Sequence, residues 1–162
     1  MTGAQSKLTR GIFAGLIAKI PQGLLLFVCS ELELLYVNTG VAVRVPSLLG
    51  GDWISNVYWI KHVIWGGVFG LLFAVPLLAR VPGWLRGMLV GLGHAAGTLL
   101  IVNPLFDSNI GFLGLGVGPG FPVIVVVFNL IWGVLAGLTL SLWNRLLPPD
   151  SQAKQNNKPA KA

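Results

Sequence analysis

Residues 121–147 read FPVIVVVFNLIWGVLAGLTLSLWNRLL, with no charged side chain before Arg145. An α-helix rises about 1.5 Å per residue, so about 20 such residues cross the ~30 Å hydrocarbon core of a bilayer. Only a helix satisfies every backbone N–H and C=O within one segment of this kind. The stretch therefore reads as a transmembrane helix, and the rest of the chain is read against it.

Three more runs meet the same length requirement. They cover about 85–102, about 57–78 and about 10–36. The first in the chain is the least pure, since it holds Lys19, Pro21, Gln22, Glu31 and Glu33. The expectation is an all-α integral membrane protein, a bundle of four transmembrane helices over residues 1–147, followed by a polar, disordered tail over 148–162. Lys7, Arg10 and the apolar 11–18 imitate a secretory signal, but Lys19 and Pro21 interrupt the apolar core and no clean small-x-small site follows. The first run is read as a retained helix.

Composition agrees. The 162 residues are 54% hydrophobic and 10% charged, far from the roughly 25% charge of a soluble domain. The formal charge of +6 does not indicate nucleic acid, because the basic residues cluster at the ends of apolar runs with no basic, aromatic-interleaved patch. The single cysteine, Cys29, excludes an intrachain disulfide and a cysteine metal cluster. Cys29 reads as a small apolar residue.

Lysine and arginine in short flanks set orientation. Lys7, Arg10, Arg80, Arg86, Arg145, Lys154, Lys158 and Lys161 fall on one side, and Arg44 and Lys61 on the other, eight against two. Both termini are therefore expected in the cytoplasm. Tyr36, Trp53, Tyr58 and Trp59 would mark the outer interface, Trp84 and Trp143 the inner one, with Trp65 and Trp132 deeper as packing residues. Residues 79–84, with Pro82 and Gly83, form the inner turn. Outside, 37–52 contains the alternation Val41, Val43, Val45. The loop 103–120 is glycine-rich and apolar, and either dips into the mouth of the bundle or packs on a partner protein.

The polar residues inside the helices follow a spacing. Gly11, Gly15, Lys19 and Gly23 step by four, as do His62, Gly66, Gly70 and Ala74. Gly87, Gly91, His94 and Thr98 form the third row, and Asn129, Gly133, Gly137 and Ser141 the fourth. Residues three or four apart share a helix face, and stripes of small residues are where membrane helices approach closely. Lys19, His62, His94 and Asn129 should therefore point into the bundle. A central lysine costs ~2.5–3.5 kcal/mol on insertion scales, so Lys19 needs an interior partner or water. Glu31 or Glu33 could pair with Lys61 across helices at the outer edge.

Three readings follow. In the first, the polar groups are interhelical hydrogen-bond glue worth ~0.6–2 kcal/mol each, and the protein is a non-enzymatic scaffold acting as a homo-oligomer or with a membrane partner. In the second, Lys19, His94 and Asn129 line a conduit for protons or a small solute. In the third, His62 and His94 ligate a b-type haem; the first two readings need no cofactor and no metal. No nucleophile with an adjacent base stands out.

Four segments carry a further likeness: GIFAGLIAKIP at 11–21, KHVIWGGVFGLLFAV at 61–75, WLRGMLVGLGHAAGTLLIVNPLF at 84–106 and VFNLIWGVLAGLTLSLWNRLL at 127–147. In their order, spacing and character the layout resembles the YagU type of small bacterial inner-membrane protein. The first outer connection is shorter here and lacks a proline-rich stretch. The resemblance implies a bacterial inner-membrane location, a role in acid tolerance and no defined biochemical activity.

Overall fold

The computed structural model describes residues 3–41, 53–106 and 110–146. The described residues are helical with no strand. Helix α1 runs Gly3–Glu31, followed by α2, Leu34–Thr39; α3 covers Trp53–Gly70 and tightens into a 3₁₀ turn at Leu71–Ala74. After a second 3₁₀ turn, Pro76–Arg80, α4 spans Gly83–Gly97 and widens into a π turn at Thr98–Val102, which leads into α5, Asn103–Phe106. A short 3₁₀ turn, Phe112–Gly114, precedes α6, Phe121–Leu146.

Among the described residues, three helical stretches are long and apolar enough to cross a membrane: Lys7–Glu31, Gly83–Leu105 and Phe121–Leu146. Trp59–Ala74 is apolar but shorter. The chain is thus an integral membrane protein by length and composition of its helices. Large apolar side chains such as Phe13, Ile17, Ile64, Val68, Val127 and Leu142 stay exposed on the outside of the bundle, as expected where lipid is the solvent.

Several boundaries differ from the sequence expectation, each for a local reason. The first helix stops at Glu31 and not near Tyr36, because Glu33 takes a left-handed backbone (φ 54°) and the chain restarts as α2. The second apolar run does not continue as α-helix to Leu78. Pro76 clashes with a helical residue before it, so Val75 is extended (φ −60°, ψ 119°) and the helix ends. The third run begins at Gly83, with Pro82 at its N-cap. Near its end Pro104 has no N–H and its ring crowds the carbonyl four residues back; the π turn just before it widens the helix, with Asn103 N–H bonded to the Thr98 carbonyl. The tail 148–162 and residues 42–52, including Val43 and Val45, lie outside the described residues.

Glycine sets the packing. Helices α1 and α3 run antiparallel and touch backbone to backbone, Gly11 on Gly70 and Gly15 on Gly66. Helices α4 and α6 do the same at Gly83 with Gly137, Gly87 with Gly133 and Gly91 with Asn129. A Cβ at Gly15, Gly66, Gly70, Gly87, Gly91, Gly133 or Gly137 would come inside 3.0 Å of a neighbouring helix. Helix α1 also packs on α6. Arg10 donates to Asn144 Oδ1 at 2.8 Å, and Phe13 lies against Trp143, so the beginning of α1 and the end of α6 share one end of the bundle.

Gly87→Leu should therefore destabilise the fold by about 1–3 kcal/mol or more, since rigid backbone opposes the new side chain. Gly93→Ala should be neutral or stabilising by up to ~1 kcal/mol, because its Cβ meets only an ordinary 3.4 Å contact with Leu72. Thermal unfolding of the purified variants in detergent checks both.

Candidate functional site

The glycine contacts end at one level of the bundle, and polar side chains occupy the next turn of each helix. On α1 this is Lys19, four residues beyond Gly15; on α6, Asn129, four before Gly133; on α4, His94, three beyond Gly91; on α3, His62, four before Gly66. Side chains larger than hydrogen project into the space between the helices here. A cavity of about 350 Å³ opens among them, away from the end shared by Arg10 and Asn144.

Lys19 is 4% exposed and lies at the floor of this cavity. Its Nζ reaches Asn129 Oδ1 at 3.5 Å and sits 5.3 Å from the centre of the Trp132 ring. Asn129 is itself held by donating from Nδ2 to the Val125 carbonyl at 2.8 Å. Trp132 is fully buried and donates from Nε1 to the Gly15 carbonyl at 2.9 Å. The glycine contact leaves that carbonyl accessible to a side chain from α6, so the stripe positions the tryptophan and the tryptophan positions the lysine.

His94, 3% exposed, stacks on Phe69 with centroids 3.9 Å apart and meets the Trp132 ring edge-on at 4.6 Å. Its Nδ1 is buried without a hydrogen-bond partner. His62 shares a hydrogen bond of 2.9 Å between Nε2 and Gln22 Oε1, and its ring is edge-on to Trp59. Gln22 is buried and lies three residues after Lys19 on the same face of α1. Gly23 leaves the room that Trp59 and His62 fill.

The wall is completed by Thr98 and Val102 from the π turn, by Asn103, and by Ile110, Phe121, Ile124, Val125 and Phe128. Asn103 is buried and its Nδ2 has no partner. The π turn rotates Asn103 away from the register an α-helix would impose, a frequent device at functional sites. The described part of the 103–120 loop folds over this end: Gly114 is buried beneath Phe121, and Gly118 packs near Val41. Leu113 takes φ 57°, a costly conformation outside glycine.

Below Lys19 the bundle is closed. Ala14, Ala18, Phe73, Val90, Trp132, Ala136 and Leu140 form one apolar cluster. At the far end Arg86 donates to the Phe73 carbonyl and lies over the Phe73 ring, with its Nε unpartnered.

The structure thus brings Lys19, His62, His94 and Asn129 to one cavity. Gln22 and Asn103 belong to it too, though sequence spacing did not single them out; the signal for Gln22 was its i+3 relation to Lys19. Glu31, Glu33 and Lys61 are exposed, and no ion pair joins them among the described residues. Their expected pairing rested on depth along the helix axes, which says nothing of which way each side chain faces. No group of three or more histidine, cysteine or acidic residues is placed to hold a metal ion among the described residues. His62 faces Gln22 and Trp59, and His94 is held flat between Phe69 and Trp132.

No family model matches the chain, and neither the curated proteins nor the solved structures compared with it yielded a match.

Lys19→Met should raise stability by about 1–3 kcal/mol, since it removes a cationic group from a site where the described lining offers no counter-charge. A lower thermal midpoint for this variant would show that the lysine contributes net stability to the bundle.

Proposed function

We propose that the chain is a four-crossing integral membrane protein, with both termini cytoplasmic, that holds a small solute in the cavity between the outer halves of its helices. The cavity is the open half of a solute path, and the apolar cluster around Trp132 closes the other half. The fourth crossing in this reading is Trp59–Ala74, packed along α1 by its glycine row. Orientation rests on the excess of lysine and arginine at the end shared by Arg10 and Asn144, and the lysine-poor side is where the cavity opens.

One observation carries the reading: polar side chains from four separate helices converge on a single cavity of about 350 Å³. Intramembrane polar residues that face a common void are the usual marks of a substrate or ion pathway, and the volume lies within the ordinary range of small-molecule sites, about 300–1,000 Å³. A scaffold held by polar glue has no need of the void. The glycine stripes that would serve oligomerisation are also taken up within one chain, which favours solute binding over stripe-mediated association. The role is one of binding and passage, with no bond-making step.

Cysteine labelling tests this. In a Cys29→Ala background, Thr98→Cys should react with a membrane-impermeant thiol reagent added to the outer face of oriented vesicles. Val68→Cys, on the lipid side, and Ala136→Cys, within the plug, should stay inert. An unreactive Thr98→Cys in folded protein would overturn the proposal.

A further inference from the structure

We infer that the cavity is a site for a small organic anion, a monocarboxylate with an apolar body, bound with its carboxylate at Lys19. The inference rests on the solute-binding reading above and names the class of solute.

Among the described residues the one charged group lining the cavity is a cation, and its unpartnered buried side-chain atoms are nitrogens. Lys19 brings three donors, and among the described residues its one acceptor is Asn129 Oδ1, at a long 3.5 Å. The buried Nδ2 of Asn103, another donor, has no partner. The buried Nδ1 of His94 is unpartnered as well and can donate in one tautomer. Thr98 adds a hydroxyl. No aspartate or glutamate is among the described residues lining the cavity. A buried cation without a counter-ion is costly, and buried donors left without a protein partner are costly as well. A group that accepts several hydrogen bonds and brings one negative charge offsets both. Carboxylate does this with two oxygens and about four lone-pair sites.

The upper wall has the opposite character. Leu26, Ile110, Phe121, Ile124 and Phe128 offer hydrocarbon and aromatic faces with no polar atom. A bare inorganic anion would leave that wall empty or wet, whereas an anion with an apolar body fills it and releases water. The volume is that of roughly a dozen waters at ~30 Å³ each, enough for a carboxylate on a ring or a short branched chain. Trp132 beneath Lys19 holds the ammonium at the cavity floor: its ring face attracts the cation from below, and its indole is fixed by Gly15.

Benzoate and its neutral near-isostere benzamide separate the two contributions. With full-length protein in detergent, titration calorimetry should show benzoate binding at least roughly tenfold tighter than benzamide, the scale of charge-assisted hydrogen bonds. Chloride at the same concentration should neither bind comparably nor displace benzoate. Lys19→Met should weaken benzoate roughly ten- to hundred-fold and leave benzamide nearly unchanged. Asn129→Asp places a carboxylate beside Lys19, so it should abolish the preference for benzoate while the helices stay folded by circular dichroism. Equal affinity for benzoate and benzamide, undiminished binding by either variant, or chloride matching benzoate would overturn the inference. Outer-face labelling of Thr98→Cys with no benzoate binding removes the solute class alone. Failure of that labelling removes the cavity reading itself.

Discussion

Backbone contact between paired helices is the constraint on which the rest depends. At Gly15 and Gly66, and again at Gly87 and Gly133, hydrogen takes the place of a side chain and one helix rests on the peptide groups of the next. In lipid there is no hydrophobic drive to press two apolar helices together, so dispersion between close surfaces has to supply the attraction. These contacts occupy one half of the bundle. Where each row of glycine gives way to Lys19, His62, His94 or Asn129, side chains project between the helices, and the cavity opens there. Close packing in one half and a void in the other come from the same four rows.

Trp132 joins the two halves. It belongs to the apolar plug through Phe73, contacts the glycine stripe through the Gly15 carbonyl, and forms the floor of the polar layer through Lys19 and His94. A large ring with a single polar N–H suits such a boundary, since it fills volume below and presents a negative face above. The glycine rows thus set the position of Lys19 indirectly, at a depth where the lysine is nearly inaccessible. Nothing in the packing requires a lysine there. Its insertion cost of ~2.5–3.5 kcal/mol, left without a carboxylate partner among the described residues, is the strongest physical reason to assign the site a solute.

Much of this was legible in the sequence because the signals were local and periodic. The membrane character of 121–147 follows from length and composition alone. The facing of Lys19 and Asn129 follows from a step of four along a helix, and the structure buries both. What was hidden depended on how distant segments meet. Asn103 enters the cavity only because Pro104 forces a π turn before it, and Ile110 and Phe121 line it only because the glycine-rich loop folds over the end of the bundle. Pro76 ends the second helical run earlier than hydropathy suggests, since hydropathy does not register a missing N–H. The pairing of Glu31 or Glu33 with Lys61 needed azimuth as well as depth, and azimuth drifts once Glu33 breaks the helix.

The central claim is that Lys19 lies in a cavity open to water, above a dry, closed plug. Magnetisation transfer from water to side chains, measured by NMR on isotope-labelled protein in lipid nanodiscs, addresses it directly. The account predicts transfer to the Lys19 ammonium and the Asn103 amide, and none to the Trp132 indole N–H. A dry Lys19, or water reaching the Trp132 indole as readily as the lysine, would contradict it.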